Sequence, residues 1–186
     1  MPLDPPSSES SAAQVSPDRA PPSQTTEVVI RPVRPDDAEG MYRLRLMQGS
    51  LDFTLALPSE RVTGSRQRVD SLSSDDHSFV AVLDGLVVGM CGLHVMVGKR
   101  RHSASLGMSV DDDFQGRGIG RKLMEAMLDV ADNYLGLVRV ELEVLADNPR
   151  AIRLYERMGF EHEGCKRKAV FRGGQYIDAL VMARIG

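Results

Sequence analysis

The densest chemical signal in this 186-residue chain is Gln115-Gly116-Arg117-Gly118-Ile119-Gly120-Arg121. Glycines at alternate positions let backbone amides point outward with no Cβ in the way. Amides gathered at the start of a helix make a site for an anion such as a phosphate, and Arg117 and Arg121 add positive charge beside it. Two familiar phosphate signatures are excluded. A dinucleotide fingerprint needs a small residue at position 121, which is arginine, and a P-loop ends Gly-Lys-Ser/Thr where this chain reads Gly120-Arg121-Lys122. A bare helix entry needs fewer glycines than the three found here.

A second pattern lies at Leu137 to Leu145, where Arg139, Glu141 and Glu143 alternate with Val140, Leu142 and Val144. On a strand these fall on opposite faces. Two carboxylates on one face ordinarily meet solvent, but on a sheet covered by helices they mark a cleft, where a carboxylate can serve as a base. His77, His94, His102 and His162 are scattered without ligand spacing, so no metal is expected. Cys91 and Cys165 have neither metal-ligand spacing nor a base nearby in the chain. Neither a disulfide framework nor a covalent acyl-enzyme is expected, and a reducing cytoplasm fits.

The elements that must position these residues begin at about residue 27. Residues 1–26 hold six prolines among serines and, beyond Met1, only Leu3 and Val15 as large apolar residues. That composition predicts a disordered tail, and 27–186 a single domain. The β-branched run from Glu27 to Val33 reads as a strand, and Pro35-Asp36-Asp37 starts a helix with Met41, Leu44 and Met47 on one stripe. A looser segment, Phe53 to Pro58, precedes a polar helix through Asp70. Ser78–Leu83 and Leu86–Val97 flank Asp84-Gly85, a hairpin signature. A strand at Ser103–Val110 leads to a helix from Gly116 to Asn133, whose apolar Ile119, Leu123 and Met127 repeat every four residues. The strand carrying the glutamates, a helix from Asn148 to Met158 and a last hairpin around Gly173-Gly174 complete the order. This is an α/β (α+β) layer: a mixed, mostly antiparallel sheet of about seven strands flanked by about four helices. With 23 basic and 26 acidic residues the net charge is −3, so no basic field invites nucleic acid, and no apolar run is long enough to span a bilayer.

The spacing Gln115-x-x-Gly118-x-Gly120, after a strand and before an amphipathic helix, resembles the pyrophosphate-binding motif of the GNAT superfamily of N-acetyltransferases. Asn148-Pro-Arg-Ala151-Ile-Arg-Leu-Tyr155-Glu-Arg-Met-Gly159-Phe160 is similar to that superfamily's second signature. The ends, including Arg100-Arg101-His102-Ser103 and Arg172-Gly-Gly-Gln-Tyr176-Ile-Asp178, look like those of bacterial L-amino-acid N-acyltransferases, and polyamine and ribosomal-protein alanine acetyltransferases share parts of them. The resemblance implies the GNAT fold and acetyl-CoA as acyl donor. It implies main-chain contacts to the donor from Met108, Ser109 and Val110, diphosphate contacts from Gln115, Gly116, Arg117, Gly118, Ile119, Gly120 and Arg121, and further contacts from Asn148, Ala151 and Tyr155. It implies an acceptor-pocket wall at Phe53–Pro58 and a small-molecule amine as acceptor, with a homodimer left open.

Acyl transfer from a thioester to an amine requires a deprotonated amine, donors toward the carbonyl oxygen and a proton for the departing thiolate. Tyr155 matches the tyrosine that supplies this proton in family members, although as a residue it also reads as a core tyrosine on a stripe with Ile152. Glu143 matches the base of the N-terminal alanine acetyltransferases and Glu141 a glutamate of the amino-acid acyltransferases, so both stand as candidates. The reading is direct transfer, in a ternary complex, of an acetyl group from acetyl-CoA to a primary amine, the α-amino group of an L-amino acid. A polyamine or protein N-terminal acceptor, or a non-catalytic acyl-CoA-binding module, are the alternatives.

Overall fold

The computed structural model describes residues 27–186, so the tail expected over residues 1–26 lies outside the described residues. Seven strands form one sheet: β1 (Val29–Pro32), β2 (Asp76–Leu83), β3 (Leu86–Val95), β4 (Ser103–Val110), β5 (Arg139–Leu145), β6 (Glu161–Arg172) and β7 (Gln175–Ile185), in the order β1-β2-β3-β4-β5-β7-β6. Five α-helices accompany them: α1 (Ala38–Arg45), α2 (Gln48–Phe53), α3 (Val62–Asp70), α4 (Ile119–Asp129) and α5 (Pro149–Arg157). The chain therefore has one helix more than the four expected. The extra one, α2, has six residues and no hydrophobic periodicity, and it holds its place through tertiary contacts.

Local chemistry explains the turns that set the sheet. Asp84 and Gly85 have φ of 49° and 80°, so the two-residue turn between β2 and β3 matches the strand twist. Asp37 accepts two hydrogen bonds from Arg31 at 2.6 and 2.7 Å and one from the Arg34 amide at 2.8 Å, tying β1 to the start of α1. The Arg31 guanidinium beside it holds the Asp37 carboxyl below the usual carboxylate range.

Two layers of helices cover the sheet. On one face α4 buries Ile119, Leu123, Met124 and Met127 against β2 and β3, each side chain contributing about 2 kcal/mol by leaving water. Tyr155 and Phe160, at the end of α5 and beyond, join the same core together with Val140, Leu142 and Val144. On the other face α1 packs on β3 and β4, with Leu44 at the centre of a smaller cluster that includes Val80 and Val87. The predicted helix to Asn133 ends earlier as α-helix: a π-helical turn, Val130–Tyr134, takes over. It lets the Leu137 amide reach the Ala131 carbonyl at 2.9 Å and turns the chain into β5.

Candidate active site

All neighbouring strands run antiparallel except β4 and β5, and that pair determines the site. The two lie parallel and pair only through Ser103–Ser105 and Arg139–Glu141. Beyond Ser105, β4 stays with β3, while β5 from Leu142 onward stays with β7. The sheet splays there, and the β5-facing edge of Leu106–Val110 is left without a ladder partner. Unpaired strand edges bind extended amide-bearing chains by adding them as a strand. Met108, Ser109 and Val110 thus stand where the sequence placed them, at an edge open to a ligand. One exception is the Val110 carbonyl, which already accepts from the Gln115 amide nitrogen at 3.1 Å.

At the end of that edge lies the glycine-rich turn. Gly116 and Gly118 have φ of 81° and 79°, which any other L-residue resists, and Gly118 caps α4. The first helical bond within α4 is Lys122 N–H to Gly118 O at 3.0 Å, so the amides of residues 119 to 121 precede it and have no intrahelical acceptor. A Cβ on Gly118 would meet nothing within 4 Å, so the space in front of these amides is open. Gly120 serves another end: a Cβ there would sit 3.3 Å from Leu154 and 3.4 Å from Met108, so this glycine lets α4 pack against α5 and β4. Ile119 contributes its amide, while its side chain is core.

The charged groups here are partly engaged with one another. Arg117 lies over the Phe114 ring at 4.9 Å, and Arg121 pairs with Glu125 at 2.7 Å. Gln115 accepts from Arg150 at 2.5 Å, which brings a cation from α5 to the same turn. Asn148 accepts from the Ala151 amide at 3.1 Å as the cap of α5, so its carbonyl oxygen is taken and only its amide group remains for a ligand.

Glycine turn, open edge and α5 border one cavity of about 1050 Å³ that passes through the splay. Tyr155 borders it, 7% exposed, with its ring 5.9 Å from that of Phe160. Burial, followed by the neighbouring Cys91, raises its phenol well above the ordinary range, so it stays protonated. Among the described residues its hydroxyl has no hydrogen-bond partner, yet it is not among the sealed polar atoms. Cys91 also lines the cavity, and burial pushes its thiol up to about 12.

The two glutamates separate. Glu143 borders the cavity, paired with Lys166. Glu141 does not border it: its carboxylate is held by Arg100 at 2.9 Å and Arg139 at 3.0 Å, inside a network that extends to Glu163. The reason is the splay itself, because at Glu141 β4 and β5 are still paired and at Glu143 they have parted. Strand alternation puts Glu143 on the α1–α3 face, opposite Val144 and the core around Tyr155. Tyr155 and Glu143 therefore face the cavity from opposite sides of the sheet.

On the α1–α3 side, Met41, Phe53 and Leu55 supply the apolar wall expected near Phe53, with Arg45, Ser65 and Arg68 beside it. Sequence reasoning missed Ser65, Arg68 and Asp112. Asp112 accepts from the Gly49 amide at 2.9 Å and from Gln115 at 3.0 Å, joining α2 to the glycine turn, and Ser50 and Ser109 share a hydroxyl bond of 2.6 Å. The acidic run Asp111-Asp112-Asp113 just before Gln115 was the available signal. No group of three or more metal-ligating side chains occurs among the described residues, and no helix there is long and apolar enough to cross a membrane.

A splayed parallel strand pair beside a glycine-rich helix entry defines the acetyltransferase class. Residues 46–160 match the Acetyltransferase (GNAT) family, and the chain belongs to it. It is 35% identical over 161 residues to the L-amino acid N-acetyltransferase AaaT of Escherichia coli, covering 86% of this chain and 99% of that one. It is 36% identical over 80 residues to the spermidine N(1)-acetyltransferase of Vibrio cholerae, 43% of this chain and 46% of that protein. The crystal structure of a GNAT-family acetyltransferase from Streptococcus pneumoniae superposes with a TM-score of 0.76 at 24% identity, covering 86% of this chain and all (100%) of that chain. The protein is an N-acetyltransferase, and its acyl donor is acetyl-CoA. The open β4 edge, the outward amides and the room before Gly118 fit a long amide-bearing arm with a diphosphate.

Proposed function

We propose that the enzyme acetylates the α-amino group of an L-amino acid by direct transfer within a ternary complex. The observation that carries this reading is the acceptor side of the cavity. It is apolar at Met41, Phe53 and Leu55, and the carboxylates bordering the cavity are Asp112 and Glu143 alone among the described residues. Asp112 is already committed to Gly49 and Gln115, so a polyamine would find one carboxylate for its several ammonium groups. The identity to AaaT along most of the chain supports the same acceptor.

Acetyl-CoA supplies the activated acyl group, and the chain supplies position and protons. The glycine-turn amides and Arg117, Arg121 and Arg150 bind the anionic end. The β4 edge at Met108 and Ser109 aligns the arm, and Asn148 and Ala151 bound it from the α5 side. Tyr155, kept protonated by burial, gives its proton to the leaving sulfur. Glu143, on the amine side, takes up the amine's proton, directly or through water, because the α-ammonium of a free amino acid is protonated at neutral pH and cannot attack until it loses that proton. The thiol in the cavity supports direct transfer: burial pushes Cys91 up to about 12, which keeps it protonated and a poor nucleophile at neutral pH.

Thiol release from acetyl-CoA with a panel of amines tests the proposal. Turnover should be fastest with an amino acid bearing an apolar side chain, such as L-methionine or L-phenylalanine. Faster turnover with spermidine, or with a peptide N-terminus, would overturn it.

A further inference from the structure

Resting on the amino-acid reading above, we infer that Arg68 and Ser65 of α3 form the binding site for the acceptor's carboxylate. The first observation is a shelf in the sheet. Gly107, Gly92 and Ser78 lie directly across from one another on β4, β3 and β2. A Cβ on Gly107 would meet nothing within 4 Å, and one on Gly92 only the Ser78 hydroxyl at 3.7 Å. All three border the cavity. The row starts on the strand that forms the splay and runs to β2 with no side chain larger than serine, leaving room for a small substrate along the α1–α3 face.

The second observation concerns what bounds that room. Ser65 and Arg68 are three residues apart on α3, hence on one face of the helix, and both border the same cavity. Ser65 is 3% exposed and its hydroxyl has no hydrogen-bond partner. A buried hydroxyl without a partner is an uncompensated loss of hydration. Ser65 lines the cavity with this hydroxyl closed off from water, so a carboxylate seated against α3 would supply the bond it lacks. Arg68 has no ion-pair partner among the described residues. Arg45, the other guanidinium on this side, grips both oxygens of Glu60 and has no such freedom. Glu60, which also feels the Arg68 charge, is held by Arg45 below the usual carboxylate range. An unengaged guanidinium and an unengaged hydroxyl on one helical face suit a carboxylate, which accepts from both. With that group anchored under α3, the α-amine points along the shelf toward the splay, where Glu143 and the acyl group's place meet.

The test uses matched acceptors that differ in the carboxylate alone: L-phenylalanine against 2-phenylethylamine, and L-methionine against 3-(methylthio)propylamine. Arg68 is exposed, so R68Q should fold normally, and calorimetry with CoA should give an unchanged affinity. The expected result is a fall of roughly 10- to 100-fold in kcat/KM for the amino acids, carried by KM, the range of a charge-assisted hydrogen bond. The decarboxylated amines should change by less than about threefold, and S65A should shift the same KM in the same direction. If the wild type acetylates the amino acids and R68Q lowers both members of each pair equally, or neither, the carboxylate site is wrong and the amino-acid reading stands. If the wild type acetylates the simple amines and no amino acid, both fall.

Discussion

Tyr155 can serve catalysis, packing or both, and one atom separates the roles. Tyr155→Phe keeps the ring against Phe160 and removes a hydroxyl that bonds to none of the described residues. Stability should therefore change by less than ~1 kcal/mol, while kcat falls roughly 10²- to 10⁴-fold if the hydroxyl protonates the leaving thiolate. Measuring kcat and the unfolding midpoint on one preparation decides it, and a kcat within about threefold of wild type would remove the acid role. Cys91 makes the second residue-scale prediction. Its folded pKa, pushed up to about 12, exceeds that of an unfolded cysteine, so the native state holds the proton more tightly. The resulting stability is fully present below about pH 8.5 and is lost as pH rises from there toward the folded value. Cys91→Val should flatten the fall in Tm between about pH 9 and pH 11, and an unchanged slope would count against it. At this scale the sequence was legible where a residue type forces a backbone conformation, as at Gly116 and Gly118. It was not legible for Glu141 against Glu143. Both lie on one strand face, and their difference comes from Arg100, on a distant turn, and from the residue at which two strands part.

Elements show the same division. The strands, the Asp84-Gly85 hairpin and the amphipathic stripe of α4 were all readable, because local periodicity and turn chemistry specify them. Short α2 was not, because tertiary bonds from Asp112 and Ser109 hold it rather than its own pattern. The splay leaves no mark in composition or periodicity, since three paired residues are followed by none, and it is the family resemblance that implies it. The glycine turn yields a test with an internal control. Gly118→Val puts a side chain into open space, so the fold should lose only the ~1–2 kcal/mol of a strained positive φ, while CoA affinity measured by calorimetry should fall at least tenfold. Gly120→Val should do the reverse, destabilising the junction of α4, α5 and β4 by about 1–3 kcal/mol through overpacking. Equal CoA affinity in a folded Gly118→Val protein would show that the turn binds no diphosphate.

On the scale of the whole molecule, one continuous cavity is bordered by β4, α4 and α5 on one side, the proposed donor half, and by α1, α2 and α3 on the other, the proposed acceptor half. Asp112 stands between them, with one oxygen on the Gly49 amide and the other on Gln115, which in turn takes Arg150. A carboxylate shared this way offers a physical link through which the two halves would depend on each other. If CoA firms the glycine turn, it also firms the wall that the acceptor meets, and by reciprocity the acceptor must tighten CoA by the same factor. The enzyme should then bind its substrates with positive cooperativity at equilibrium, seen as a lower Kd for CoA in the presence of a saturating amino acid. Asp112→Asn, which keeps the size but can accept at only one of the two positions, should bring that ratio of Kd values toward one. A ratio of one in the wild type would mean that the two halves bind independently. A single acidic side chain would thus tie donor and acceptor into one binding equilibrium, in which either raises the affinity for the other by the same factor whatever the order of arrival.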